Sequence, residues 1–471
     1  MQWQALLDQT RVREILAGQT SHKVSGELRT EYERDRDRSI YSSPVRRLIG
    51  KTQVFPLDPN DLIRTRLVHS LEVSTVAEGL AAQATRDVIC KRESLDDGQQ
   101  RAISKIAETC GLLHDTGNPP FGHAGELAIG SWFAKRLDRK KRIPKLGGER
   151  SQAAKDFLLF EGNAQTLRIL TNTRLLGHDH GLNLTCATTA AVRKYLAASH
   201  IADADSKIHE NTKPGFFKSE AKIVDEIGER TSTKGRRHPI AYLVEAADDI
   251  VYCVVDIEDG LKKHLLAWPM VFEYLKKRCA SLPLFEEILK GSDKQMKDVP
   301  QETPLWASEY PQAFRVNAIS AMVRSVVDVF GLRYDQIMMG DYHDELVRDV
   351  QCSAAVFIKA CKDLLRETVF RSQEVLRLEV RGRKVIHDLM DLFWEGASTY
   401  LKDRKIQSRS YGGKLYLLIS ENYRHIFQKR LLDGREDEAY CAFQLVTDYV
   451  SGMTDAYACR LHTDLMNGRI G

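Results

Sequence analysis

An all-α fold is what this sequence predicts, and three observations carry the prediction. Apolar residues recur at steps of three and four along most of the 471 residues, the signature of helices that bury one face. The alternation of a half-buried strand is confined to short stretches such as residues 414–419, which read as helical with their surroundings. Pro and Gly punctuate the second half at intervals that leave helix-length segments between them.

Composition narrows the class. Hydrophobic residues make up 43% and charged residues 28%, ordinary for a soluble globular protein. No apolar run approaches the roughly 18 residues of a membrane helix, and the first residues show no basic-then-apolar leader. Nine cysteines stand singly, without a Cys-x-x-Cys pair, which argues against a zinc ribbon or a disulfide framework and for a reducing cytoplasm. A net charge of +4 does not by itself announce nucleic-acid binding. The basic runs at 136–142 and 234–238 could meet phosphates or simply form solvated faces.

In chain order, residues 1–30 suggest a peripheral short helix over 3–16. Alternating charges at 34–38 lead to Pro44, where Arg46 and Arg47 could bind phosphate or make ion pairs. Asn60 or Asp61 is a candidate cap for a long helix with Leu62, Arg66, His69, Val73, Val76 and Leu80 on one stripe. His69 therefore faces apolar neighbours. Residues 91–100 read as a loop, after which Ile103, Ile106, Cys110 and Leu113 form a stripe running into His114 and Asp115. Gly117 and Pro119-Pro120 stop that helix, and His123 and Glu126 follow three apart on the next one.

That helix continues through Trp132 and Leu137, residues 144–148 break it, and another opens at 160–165. Residues 203–237, rich in charge around Lys213-Pro214-Gly215, suggest a mobile basic excursion or lid. The helix from Pro239 places Glu245, Asp248, Tyr252 and Asp256 on one side of an otherwise apolar cylinder. Beyond it, breaks are expected at Pro283, 291–304, Gly340, Gly382, 412–413 and Gly434.

Carboxylates in so apolar a helix need partners. His69, the His114-Asp115 pair and one carboxylate of Asp248-Asp249 would surround one divalent ion. Such nitrogen and hard-oxygen donors favour Mn, Fe, Co, Ni or Mg over a structural zinc, without excluding zinc. His123 and Glu126 could form a proton-transferring dyad or an ordinary contact at a helix start.

The ordered set His69, His114-Asp115 and Asp248 resembles the H…HD…D signature of the HD-domain phosphohydrolases. The words Asp35-Arg-Asp-Arg-Ser-Ile, Lys51-Thr-Gln-Val-Phe-Pro, Arg64-Thr-Arg-Leu-Val-His-Ser, His114-Asp-Thr-Gly-Asn-Pro-Pro-Phe-Gly-His-Ala-Gly-Glu, Phe160-Glu-Gly-Asn-Ala-Gln and Glu245-Ala-Ala-Asp-Asp-Ile-Val-Tyr are similar to those of the deoxyguanosinetriphosphate triphosphohydrolase family. Residues 373–379 and 385–386 resemble its C-terminal helices.

The resemblance implies an all-α HD core with an added C-terminal helical region, divided into residues 1–60, 61–265 and 266–471. It implies hydrolysis of dGTP or another dNTP to the deoxynucleoside and inorganic triphosphate, with Mg or Mn as cofactor. His69, His114, Asp115 and Asp248 would be the metal ligands, and His123 with Glu126 the dyad that protonates the leaving 5′ oxygen. Gln53, Arg66, Lys213, Tyr252 and Asp256 would contact substrate, with base selection from further on, at Tyr334 or Tyr342. A homo-oligomer, often a hexamer, and a dNTP or single-stranded DNA as activator are further implications. Other HD phosphohydrolases and a strand-binding protein with secondary hydrolase activity are the alternatives.

Overall fold

A computed structural model describes residues 1–18, 27–55, 63–137, 146–406 and 408–466. Thr65 caps the first helix of the site, its hydroxyl accepting from Val68 N, and α1 runs Arg66–Asp87. Asn60 and Asp61, the caps expected from sequence, lie outside the described residues. Helix α2, Asp97–Leu113, starts with a reciprocal capping box between Asp96 and Gln99. Then follow α3 (Gly122–Leu137), α4 (Gly162–Thr171), α5 (Pro239–Lys262), α6 (Pro304–Met339), α7 (Gln373–Asp403), α8 (Glu438–Ser451) and α9 (Asp455–Met466). The strands among the described residues are a short parallel pair, β1 (Ala197–Ala198) and β2 (Pro214–Phe216). The fold is all-α. No helix among the described residues is long and apolar enough to cross a membrane.

Two apolar clusters organise the helices. The larger joins Val73 and Leu80 of α1, Ile103 and Ile106 of α2, Ile250 and Val254 of α5 and Phe330 of α6, and extends into Leu275 and Phe357. The second joins Ile129 and Phe133 of α3 to Ile386 and Phe393 of α7 and Phe443 of α8. Residues 114–121, between α2 and α3, thus cross from one cluster to the other. The chain after residue 265 contributes to both.

Several expectations change. Residues 3–16 form two helices, Trp3–Leu6 and Val12–Ala17, and they are not peripheral: Trp3 is in the large cluster and buried Arg11 pairs with Asp35 at 3.0 Å. Part of the stretch 203–237 packs inward, where its charges find partners, while residues 203–205 and 234–236 are exposed. Glu220 is fully buried and accepts from Arg168 Nη1 at 2.9 Å and Asn172 Nδ2 at 2.7 Å, ahead of a helix over Ala221–Arg230.

Gly340 and Gly434 do end helices, in left-handed backbone at φ 80° and 62°. Gly291, Gly382, Gly412 and Gly413 instead sit inside helices, where some of them allow close approach. A Cβ on Gly382 would lie 2.6 Å from Cγ of Phe121, and one on Gly412 2.1 Å from Thr399 Oγ1.

Gly382→Ala is expected to lower stability by about 1–3 kcal/mol through overpacking against Phe121. Urea denaturation reads this as a lower midpoint at constant slope; an unmoved midpoint would show that the ring yields freely.

Candidate active site and metal centre

His69 lies on the inner face of α1, 1% exposed, as its apolar stripe requires. His114 ends α2, and Asp248 comes from the middle of α5. His69 Nε2 is 3.0 Å from Asp248 Oδ1, and His114 Nε2 is 3.6 Å from the same oxygen and 3.4 Å from Asp115 Oδ2. His114 Nδ1 donates to Gly111 O at 2.7 Å, which turns Nε2 toward the carboxylates, where it has no hydrogen-bond partner. Asp115 is oriented from both sides: Oδ1 accepts from Asn118 Nδ2 at 2.6 Å, and Oδ2 from Arg66 Nη1. Asp249, next to Asp248 in sequence, points elsewhere and faces Lys362 Nζ at 2.5 Å.

The electrostatics favour positive charge at this point. Burial works against charge on His114, yet the Asp115 and Asp248 carboxylates outweigh it and raise the imidazole to about 9. Burial likewise opposes ionisation of Asp115, but Arg66 and His114 hold it well below the usual carboxylate range. Asp248, against the same burial cost, is brought down to about 2 by His114 and His69. His69, His114 and Asp115 bring ligand atoms close enough together to share a divalent ion, and Asp248 Oδ1 lies beside both imidazoles. A second group, His209, Glu245 and Glu345, is already neutralised: Lys194 Nζ is 3.1 Å and Arg237 Nη2 2.5 Å from Glu245.

At the far end of the turn, His123 Nδ1 lies 2.7 Å from Glu126 Oε2. This hydrogen bond, with burial opposing it, raises the imidazole pKa. Glu126 is buried, its Oε1 accepting from Gly162 N at 2.9 Å, and the imidazole is 71% exposed. A Cβ on Gly162 would meet that oxygen at 2.7 Å and Asn118 Oδ1 at 2.2 Å, so the glycine is what lets the amide reach the carboxylate.

His123 opens onto a cleft of about 470 Å³, which Gln53, Arg66 and Tyr252 also line. Gln53 Oε1 is buried without a partner. The Tyr252 ring stacks on Phe370 at 6.3 Å. Asp256, one turn on, is 1% exposed with both carboxylate oxygens unpartnered, and burial pushes its carboxyl well up; it is not among the residues lining the cleft. Lys213 lies 3.1 Å from Glu161, close enough to the dyad for its charge to oppose that of His123.

Other candidates go elsewhere. Arg47 donates to Gly452 O at 2.8 Å and Arg237 to Glu245, so both are structural. Tyr334 accepts from Trp3 Nε1 at 2.8 Å and Tyr342 donates to Asp349 at 3.1 Å, so neither reaches the cleft. The C-terminal wall of the cleft is Phe370, Val375, Leu378 and Glu379, which no spacing argument could join to lining residues so far back in the sequence. In the basic runs, Arg136 pairs with Asp391 and Lys234 with Glu229; residues 138–145 lie outside the described residues.

Gly162→Ala is predicted to displace both Glu126 and Asn118, and through Asn118 the Asp115 carboxylate, so that turnover falls by about 100-fold, the cost of a misplacement near 1 Å, and Mn²⁺ binding weakens with it. Turnover together with calorimetric Mn²⁺ titration checks this; unchanged turnover would contradict it.

An HD domain model matches residues 66–154. The chain is 33% identical, over 99% of both chains, to a deoxyguanosinetriphosphate triphosphohydrolase-like protein of Listeria monocytogenes. It is 32% identical to a probable deoxyguanosinetriphosphate triphosphohydrolase of Pseudomonas aeruginosa, covering 91% of each. The deoxyguanosinetriphosphate triphosphohydrolase of Yersinia pseudotuberculosis is 30% identical, over 93% of this chain and 94% of that one. Full-length similarity at this level, with the histidines and aspartates of the HD signature gathered at one point, makes this chain a member of the deoxyguanosinetriphosphate triphosphohydrolase family.

Proposed function

We infer that this protein hydrolyses dGTP, or dNTPs more broadly, to the deoxynucleoside and inorganic triphosphate. The observation that carries the reading is the arrangement, on either side of one turn, of His69, His114, Asp115 and Asp248 on the one hand and His123 hydrogen-bonded to Glu126 on the other, beside a cleft of about 470 Å³. His69, His114, Asp115 and Asp248 would hold the ion, for which Mn or Mg is proposed; when bound, it would lower the pKa of water and offset phosphate charge.

The chain's own groups do the rest. Water adds to the α-phosphorus and the bond from phosphorus to the 5′ oxygen breaks. Imidazolium His123 gives its proton to that oxygen, and Glu126 stabilises the charged ring and fixes its orientation. Triphosphate leaves carrying the oxygen of water, and the proton lost by water restores the acid through solvent. Arg66, anchored on Asp115, presents positive charge to the phosphates. Lys213 adds to it from the Glu161 side. Tyr252 supports the sugar, Asp256 accepts from the 3′-hydroxyl, and Gln53 contacts sugar or base. Glu379, a carboxylate on the opposite wall, suits the donor edge of guanine. The proposal includes a homo-oligomer, up to a hexamer, activated by a dNTP or single-stranded DNA.

Incubation with each dNTP and Mn²⁺ or Mg²⁺ should release inorganic triphosphate and deoxynucleoside in equal amounts. Phosphate, pyrophosphate or a nucleoside monophosphate would point to another HD phosphohydrolase. His123→Ala should slow turnover by roughly 10²–10⁴-fold without weakening Mn²⁺ binding.

The acid must be protonated, so activity should fall as pH rises through the raised His123 pKa. Glu126→Gln removes the partner that raises it, and the alkaline limb of the kcat/KM profile should move to lower pH. A limb that stays put would remove His123 from the proton-transfer role.

A further inference from the structure

The segment that carries Gln53 to the cleft is docked on the loop between α8 and α9. Arg47 Nη1 donates to Gly452 O at 2.8 Å, and Lys51 Nζ donates to Ser451 O at 2.9 Å and to Asn118 O. A Cβ on Gly50 would lie 2.9 Å from Thr454 Cβ. At the centre is Asp455, 1% exposed. Its Oδ2 accepts from Thr52 N at 3.1 Å and from the Thr52 hydroxyl, and its Oδ1 accepts from Phe121 N at 3.0 Å.

Each oxygen of this carboxylate therefore serves a different one of two segments that line the cleft, 52–54 and 121–124. Thr52 precedes Gln53, and its carbonyl accepts from Arg66 Nε at 3.1 Å, the arginine that holds Asp115. Phe121 stands two residues before His123, with φ at +64°, followed by Gly122 at +56°. A residue with a β-carbon is disfavoured in that region, and the bond to Asp455 is what the Phe121 amide gains by adopting it.

We propose that Asp455 is a positioning residue for the hydrolysis, setting His123 over the cleft and fixing the Thr52–Arg66 side of it through one buried carboxylate. The claim rests on the functional reading above. It also gives the C-terminal α9, far in sequence from every metal donor, a defined mechanical link to the acid.

The test compares wild type with Asp455→Asn, Thr52→Val and Thr52→Ser. An asparagine offers one acceptor and one donor, so its amide group must face the Phe121 or the Thr52 N–H, donor against donor. Asp455→Asn should lower kcat on dGTP by about 100-fold, with KM changed far less and Mn²⁺ affinity retained. Thr52→Val should lose part of that, and Thr52→Ser should recover most of it.

Hydrogen exchange should quicken at the Phe121 amide in Asp455→Asn while amides of α1, α2 and α5 keep their protection. Wild-type kcat in Asp455→Asn, or activity lost only in proportion to unfolded protein and absent Mn²⁺ binding, would overturn the proposal. Should the wild-type enzyme release no triphosphate, the functional reading fails by itself, and the Phe121 amide still decides whether the latch exists.

Discussion

Two ionised carboxylates held against two imidazoles, where α1, α2 and α5 meet, are the constraint on which the site depends. Inside an apolar crossing the charges on Asp115 and Asp248 are costly unless something positive stands between them. Protonated imidazole can play that part, as the raised His114 shows, and so can a divalent ion. The surroundings are arranged for the second occupant: His114 is fixed through its other nitrogen by a backbone carbonyl, and Asp115 is gripped by Arg66 and Asn118. These contacts leave donor atoms aimed inward, with their orientation set before any ion arrives.

The second organising feature is the separation of the proposed metal ligands from the His123–Glu126 pair. His69 and Asp248 lie on helices of the larger apolar cluster and His114 and Asp115 follow the end of α2, whereas His123 and Glu126 ride on α3, packed in the other cluster with α7 and α8. Residues 114–122 bridge the two. Their backbone is held at Gly117 by Thr166 Oγ1 at 2.9 Å, at Asn118 by Lys51 and at Phe121 by Asp455. Pro119 and Pro120 lie inside the bridge, and these long-range bonds hold its backbone on either side of them.

Much of this was legible in sequence because it is local. A stripe with His69 among valines and leucines, a helix running into His114-Asp115, and four polar residues on one side of α5 are periodic patterns, and each places its side chain as the period requires. Other features were illegible because they depend on pairing across hundreds of residues. Nothing near Arg237 announces Glu245 as its partner rather than phosphate, and nothing near Phe370 announces Tyr252. Glycines misled for a related reason: Gly382 and Gly412 look like breaks until the neighbouring Phe121 and Thr399 are known. The charged stretch 203–237 looks unpackable until Glu220 meets Arg168.

The central claim is that His69, His114, Asp115 and Asp248 form one cation site that serves the cleft. Anomalous diffraction from crystals grown with Mn²⁺ tests it most directly. The account predicts a single strong peak per chain, about 2.0–2.3 Å from donor atoms of all four residues. A peak at His209, Glu245 and Glu345 instead, or none beside His114 at saturating Mn²⁺, would contradict it.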